Sequence, residues 1–284
     1  MGHIETVVIP VHDVNPVRRT PWVTYGLIGV NVGILLLTPL FSNSGVQPES
    51  VAELCRQQAF FQHYGAIAHE LITNHQEALV ATGEVGQRAG TCAIAAPAYT
   101  KIPALSVITS MFLHAGWLHL LGNMLFLWVF GNNIEDRFGR LRYLLLYLVA
   151  GYAAAYGFAF ANADSTQPLV GASGAVSGIL GAYLVLFPSA RVWSLVPVLF
   201  FIPLRLPAWL VLGMWFVLQG IYSAGLGVAD GGAVAYLAHV IGFVVGILFA
   251  ARMRRYQPPR QRSGPPNPLE PPVMWRRPAR GGWR

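Results

Sequence analysis

Charge is what this chain most lacks. Asp, Glu, Lys and Arg make up 11% of its 284 residues, against 54% that are hydrophobic, whereas a soluble domain usually carries about 25% charged side chains. Long uncharged runs account for the deficit, and they exclude an ordinary soluble globular protein. A helix that crosses a bilayer needs roughly 20 apolar residues, and several runs approach that length. Lysine is nearly missing: Lys101 stands alone among the basic residues, the rest being arginine, a bias that reflects genomic composition more than chemistry. A net charge of +7 would suit a nucleic-acid binder, but the basic residues gather beside the apolar runs and in the tail. That is the pattern of membrane flanks, so no nucleic-acid partner is expected. Acidic side chains are absent from the middle of every apolar run, which counts against an ion or proton pathway. No internal repeat stands out, which weakens a transporter built from duplicated halves. Cysteine is scarce too, with Cys55 and Cys92 alone.

The apolar runs read as six spans: about Trp22–Leu40, Gly116–Val129 (extending to Glu135), Tyr143–Ala161, Val170–Phe187, Ala208–Gly225 and Ala233–Met253. Val192–Pro203 is apolar but short and broken by Pro197 and Pro203, so it reads as an interfacial hairpin and not a seventh span. The first twenty residues are mixed polar and do not read as a cleavable signal peptide. Arg18 and Arg19 precede span one, Arg137, Arg140 and Arg142 separate spans two and three, Arg191 and Arg205 lie between four and five, and Arg252, Arg254 and Arg255 close span six. The alternate loops are poor in arginine, which places both termini in the cytoplasm by the positive-inside rule.

The expectation is therefore an all-α polytopic membrane protein in three parts: a cytoplasmic segment at 1–20, a six-helix membrane domain at 21–254, and a tail at 255–284. The tail is rich in Pro, Arg and Gly and too poor in aliphatic residues to fold. The one large outer loop, about 41–103, joins spans one and two. Within it Val51–Phe61 and Ile67–Ala81 have helical spacing with mixed polarity, suited to lying along the membrane surface. Cys55 and Cys92 both fall in this loop and are a candidate disulfide on an oxidising face. A metal site with His63, His69 or His75 is the alternative, but the spacings match no common zinc pattern.

Polar residues inside spans are costly and point to function by default. His119 and Asn123 in span two, Ser173 and Ser177 in span four, and His239 in span six stand out. Spans two, four and six run in the same direction, and at about 1.5 Å per residue His119, Ser173 and His239 lie at one depth, roughly 5–10 Å below the outer surface. A serine at a helix start beside a histidine is a nucleophile with its general base. With no acid in the spans, this would be a dyad and not a triad. His119, Asn123 (four residues on, and on the same helix face) and the Ser173 N–H could hold an oxyanion. Gly171, Gly174 and Gly178, with Gly242 and Gly246, would let the two helices approach closely. Each feature alone has a plainer reading: Ser177 as a residue bonded to its own backbone, a buried His114 or His119 as structural, the glycines as packing. Their joint occurrence at one depth favours chemistry.

These residues resemble the rhomboid family of intramembrane serine proteases. Gly171-Ala-Ser173-Gly174 is similar to the family's GxSG nucleophile motif, and Ala238-His239-Val-Ile-Gly242, followed by Gly246, to the motif of its base. His119-Leu-Leu-Gly-Asn123 matches HxxxN, with His114 five residues earlier, and Glu135-Asp-Arg137-Phe-Gly139 matches ExRxG. The resemblance implies a six-helix bundle, Ser173 as nucleophile, His239 as base, and His119 and Asn123 as oxyanion donors. It implies transmembrane segments of other proteins as substrates, a lipid surround and no cofactor; a bacterial plasma membrane is the expected setting, since the sequence shows no mitochondrial-type leader. The same fold could instead serve a non-catalytic chaperone or scaffold for client helices, although such relatives tend to lose the serine or histidine that this chain keeps. Where some members carry an aromatic residue four positions after the nucleophile, this chain has Ser177, and where some carry Trp-Arg in the outer loop it has Leu105-Ser106. What orients His239 is left open.

Overall fold

A computed structural model describes residues 9–15, 17–38, 50–88, 90–196, 202–224 and 235–254. The expected tail and the first part of the outer loop lie outside them. Helices dominate: α1 (Trp22–Leu37), α2 (Val51–Tyr64), α3 (Ala68–Thr73), α4 (Pro103–Ser110), α5 (Trp117–Phe126), α6 (Asn132–Phe138), α7 (Arg140–Ala161), α8 (Ser173–Leu186), α9 (Ala208–Ser223) and α10 (Tyr236–Arg254). A single π turn, Leu127–Gly131, joins α5 to α6, so the chain stays helical from Trp117 to Phe138. Helices α7 and α10 are long and apolar enough to cross a membrane, and α1, α8 and α9 are shorter apolar helices.

The structure departs from the all-helical expectation, because seven short strands also form among the described residues. Strand β1 (Ile9–Asp13) pairs antiparallel with β6 (Arg191–Val196), which pairs with β7 (Ile202–Pro207). The two ends of the apolar stretch read as an interfacial hairpin thus pair as antiparallel strands, the residues 197–201 between them lying outside the described ones, and the first segment, far away in sequence, adds a third strand. Ile67–Ala81 is not one helix. Its helical part, α3, stops at Asn74, whose left-handed conformation (φ 56°) is a common helix ending. The chain then enters β3 (Val80–Val85), which pairs with β4 (Cys92–Ala95). The remaining strands, β2 (Ala66–Ile67) and β5 (Pro168–Leu169), pair with each other and hold the segment between α2 and α3 against the chain just before α8. Cys55 of α2 and Cys92 of β4 are joined in a disulfide, with Cα atoms 5.3 Å apart, and not directed to a metal. Within the same region Lys101 is buried against Glu70 (Nζ–Oε2 2.7 Å) and also donates to the Gln62 carbonyl.

Helix α8 is the centre of the bundle, packed between α7 and α10, and every residue from Ala175 to Tyr183 is buried. Small residues line both of its contacts. A Cβ on Gly174 or Gly178 would meet the methyl of Ala154 or Ala150 on α7, and one on Gly242 or Gly246 would strike the carbonyls of Gly174 or Gly178. No side chain separates α8 from α10 at these crossings, so the two backbones touch. Such contacts are the main source of helix association in lipid, where apolar surface gains little from leaving the solvent.

Polar bolts hold the other end of the bundle. Glu135 of α6, 3% exposed, accepts hydrogen bonds from the N–H groups of Val23 (3.0 Å) and Thr24 (2.8 Å) and from the Thr24 hydroxyl (2.8 Å). It therefore caps α1, whose first N–H groups have no partner within the helix. Asp13 of β1 accepts from the Tyr183 hydroxyl and from Asn133 Nδ2, each at 2.7 Å, tying the sheet to α8 and α6. Burial pushes the Asp13 carboxyl above its usual value, against the opposing effect of the Tyr183 hydrogen bond.

Two predictions follow from this architecture. Gly246→Val wedges α10 off α8 and should destabilise the protein by at least about 1–3 kcal/mol, the usual cost of overpacking. The readout is a lower melting temperature in detergent. Because the folded state holds the Asp13 proton to a higher pH than the unfolded chain does, the Asp13 contribution is complete below the ordinary carboxylate value and is lost as pH rises through the raised one. The melting temperature of wild type relative to Asp13→Asn should therefore fall as pH rises above the ordinary carboxylate value of about 4. Parallel melting curves against pH would refute the assignment.

Candidate active site

The contact between α8 and α10 decides where two reactive side chains meet. Ser173 is the first residue of α8, and His239 lies one turn into α10. Their Oγ and Nε2 atoms are 2.8 Å apart. The Gly174–Gly242 crossing stands next to this pair and sets the separation, since a serine hydroxyl has almost no reach of its own.

His239 is held from its other side as well. Its Nδ1 is 2.7 Å from Oε1 of Gln219 on α9, and its ring lies 6.0 Å from that of Trp215 at an interplanar angle of 29°. Tyr236 meets it edge-on at 6.3 Å. The ring contact that Ser177 cannot make from α8 thus comes from α9. Ser177 itself donates to the Ser173 carbonyl at 2.6 Å, the backbone bond typical of serine inside a helix. Gln219 and Trp215 were not among the site residues expected from sequence. The signal for Gln219 was present, for it is a polar side chain in an apolar run. It sits on a helix running opposite to the three whose depths were compared, and so it escapes a reading by depth.

His119 reaches the same place from α5. Its Nδ1 faces the Ala115 N–H at 3.5 Å, which leaves Nε2 to carry the ring proton. That nitrogen lies against Gly171, where an added Cβ would be 2.8 Å from His119 Nε2 and 3.6 Å from Ser173 Oγ. The gap filled by the missing side chain therefore borders both the hydroxyl and the imidazole N–H. Gly171 also adopts a positive φ of 125°, which disfavours any other residue, and its N–H donates to the Ser110 carbonyl at 2.9 Å. Asn123, 7% exposed, gives one amide proton to the His119 carbonyl at 2.9 Å. His114 is fully buried, with its ring 5.0 Å from that of His119.

The structure thus brings Ser173, His239, Gly171 and His119 together, with Asn123 bonded to the His119 carbonyl and the His114 ring against that of His119. Glu135 and Arg137 do not join them. They lie some sixteen residues further along the α5–α6 run, roughly 24 Å away at the helical rise, where Glu135 caps α1. Cys55 and Cys92 belong to the region between α1 and α4. Among the described residues no group of three or more His, Cys, Asp or Glu side chains is placed to hold a metal ion.

A hydroxyl and an imidazole poised inside a bundle of apolar helices define a class of helical membrane protein, and comparison with known proteins identifies the family. The model of the Rhomboid domain matches residues 103–256, more than half of the chain. Among similar proteins, Rhomboid protein 1, mitochondrial, of Saccharomyces cerevisiae is 32% identical over 149 residues, covering 51% of this chain and 40% of that protein. RHOMBOID-like protein 6, mitochondrial, of Arabidopsis thaliana is 42% identical over 78 residues, 28% of this chain and 25% of the relative. Rhomboid protease GluP of Bacillus subtilis is 42% identical over 86 residues, 30% of this chain and 16% of the relative. This chain belongs to the rhomboid family and is a helical integral membrane protein. It spans about two fifths or less of the length of these relatives.

Gly171→Ala tests the packing at the site. It combines a backbone strain of about 1–3 kcal/mol with a clash against the His119 ring, and should lower the melting temperature. A melting temperature equal to that of wild type would mean that the ring is not seated against Gly171.

Proposed function

We propose that this protein is an intramembrane serine endopeptidase, cutting transmembrane segments of other membrane proteins with a Ser173–His239 dyad. The observation that carries the reading is the 2.8 Å contact between Ser173 Oγ and His239 Nε2. Gln219 Oε1 at Nδ1 only accepts, so Nδ1 carries the ring proton and Nε2 presents a lone pair to the serine hydroxyl.

In the proposed reaction the Oγ–carbon bond forms as the Ser173 proton passes to His239 Nε2, and the electron pair of the carbonyl moves to its oxygen. The oxyanion is met by the His119 Nε2–H, the free amide proton of Asn123, and the unpaired N–H groups at the start of α8. Collapse breaks the carbon–nitrogen bond, and the proton on Nε2 goes to the departing amine. Water then attacks the acyl-serine, giving its proton to Nε2. Release of the new carboxyl end returns that proton to Oγ. Side chains and water suffice for every step.

The finer topology is part of the same proposal. The run α5–α6 and helices α1, α7, α8, α9 and α10 are taken as the six spans, with both termini cytoplasmic as the arginine distribution directs. The 41–103 region then lies on the outer face of a bacterial plasma membrane. The Cys55–Cys92 disulfide supports this orientation, because such bonds persist on oxidising faces. The chain divides accordingly into a cytoplasmic lead at 1–20, the membrane domain at 21–254 and a tail at 255–284.

Labelling with a fluorescent fluorophosphonate, which traps an activated serine as a phosphonyl ester with loss of fluoride, tests the dyad. Wild type in lipid should label, while Ser173→Ala and His239→Ala should fall by at least about 100-fold, the lower end of what a general base contributes. Labelling that survives Ser173→Ala would sink the proposal. A folded wild type that does not label would point to a client-binding scaffold instead.

A further inference from the structure

We infer that Gln219 is the positioning residue of this site, an uncharged third group that fixes the tautomer and tilt of His239. The inference rests on the reading of Ser173 and His239 as nucleophile and base. A dyad leaves one question unanswered, since an imidazole in an apolar bundle can carry its proton on either nitrogen and can swing about its Cβ–Cγ bond. Only one of these states accepts the serine proton. The carboxylate that would usually decide is missing, because the apolar runs hold no central Asp or Glu.

Gln219 stands where such a carboxylate would be needed. The residue is buried, 8% exposed, and its Oε1 is 2.7 Å from His239 Nδ1. An amide oxygen accepts and does not donate, so the bond holds the proton on Nδ1 and turns the Nε2 lone pair toward Ser173 Oγ, 2.8 Å away. Trp215 lies one turn earlier on α9, and its ring flanks the same imidazole. One face of α9 thus supplies both an in-plane acceptor and a flat wall, which together leave the ring little freedom. Nucleophile and base sit on helices locked at their glycines, whereas the group that orients the base comes from a third helix. That helix meets α10 through bulky rings, Trp215 and Phe216 against Phe243. The base is therefore fully organised only while α9 is seated.

A mere packing role and an acceptor role predict opposite orders for two substitutions. Met is close to Gln in length but offers no oxygen, while Glu keeps an oxygen at the same reach in either protonation state. The experiment compares the second-order rate of fluorophosphonate labelling for wild type, Gln219→Met and Gln219→Glu, with the full chain in lipid and melting followed in parallel. If Gln219 positions His239, the Met variant melts like wild type yet labels at least about tenfold more slowly, and the Glu variant labels within a few-fold of wild type. The loss is bounded by the about 10⁴-fold that follows when a base takes the wrong tautomer. If Gln219 only fills space, the Met variant labels like wild type and the Glu variant is the impaired one, and that order overturns the inference while leaving the dyad intact. Should the Met variant not fold, the Glu variant decides: near-normal labelling supports positioning, and slow labelling at an unchanged melting temperature overturns it. Wild type without Ser173-dependent labelling overturns this inference together with the dyad it rests on.

Discussion

The touching backbones of α8 and α10 are the constraint on which the rest of the structure depends. A serine can reach a histidine on a neighbouring helix only if the helix axes come closer than side chains normally allow. Gly174 and Gly178 on one helix, with Gly242 and Gly246 on the other, remove the obstruction. Because the carbonyl oxygens of Gly174 and Gly178 already fill the places of the Cβ atoms that Gly242 and Gly246 lack, the spacing is set by backbone atoms, which do not change rotamer. Packing of this kind gives a narrow energy minimum, and the 2.8 Å contact of Ser173 with His239 inherits its narrowness. On the other flank, Ala150 and Ala154 of α7 fit Gly178 and Gly174 in the same way, so α8 is fixed from two sides.

A bundle held mainly by van der Waals contact has little to specify how its ends are arranged, and here buried polar groups do so. Glu135 and Asp13 each satisfy donors from elements more than a hundred residues away in sequence. A donor left without a partner in such surroundings costs several kcal/mol. The α1 start and strand β1 therefore have one place to go. In the region between α1 and α4 the Lys101–Glu70 pair plays a similar part. Burial draws the Lys101 ammonium below its usual value while Glu70 pulls it back up, which is the balance expected of a buried ion pair that orders its surroundings more than it stabilises them.

What could be read from the sequence was whatever depends on one helix at a time. Apolar runs located the long helices to within a few residues, and α2 appears where the spacing of Val51–Phe61 suggested a helix. Depth along parallel helices was enough to propose that Ser173, His239 and His119 share a site. Features that need two distant segments were not legible. Strand β1 is five residues long and has no meaning without β6 and β7 as partners, since a short alternating run can pair with anything. Asn74 ends α3 through a left-handed turn that helical spacing alone does not reveal. The contact of Gln219 with His239 crosses between antiparallel helices, where depth must be counted from opposite ends and small errors in the span boundaries add up.

The absence of a carboxylate behind His239 has a physical logic of its own. An ionised Asp in that position would stabilise the imidazolium of the proposed reaction, but it would also be a buried charge with only one partner at rest. The effective penalty for such an ion is several kcal/mol even after relaxation, and inside a membrane it falls on the stability of the whole bundle. A neutral amide avoids that cost, because its oxygen accepts one hydrogen bond from Nδ1 and carries no net charge to desolvate. What it gives up is direct charge stabilisation of the imidazolium. It retains control of the tautomer and the ring plane, which are matters of geometry and not of net charge. In a low-dielectric site the dipole of one well-aimed amide is also weakly screened, so part of the lost stabilisation returns. An orienting group inside apolar helices is therefore more easily built from glutamine than from aspartate, at the expense of a weaker base.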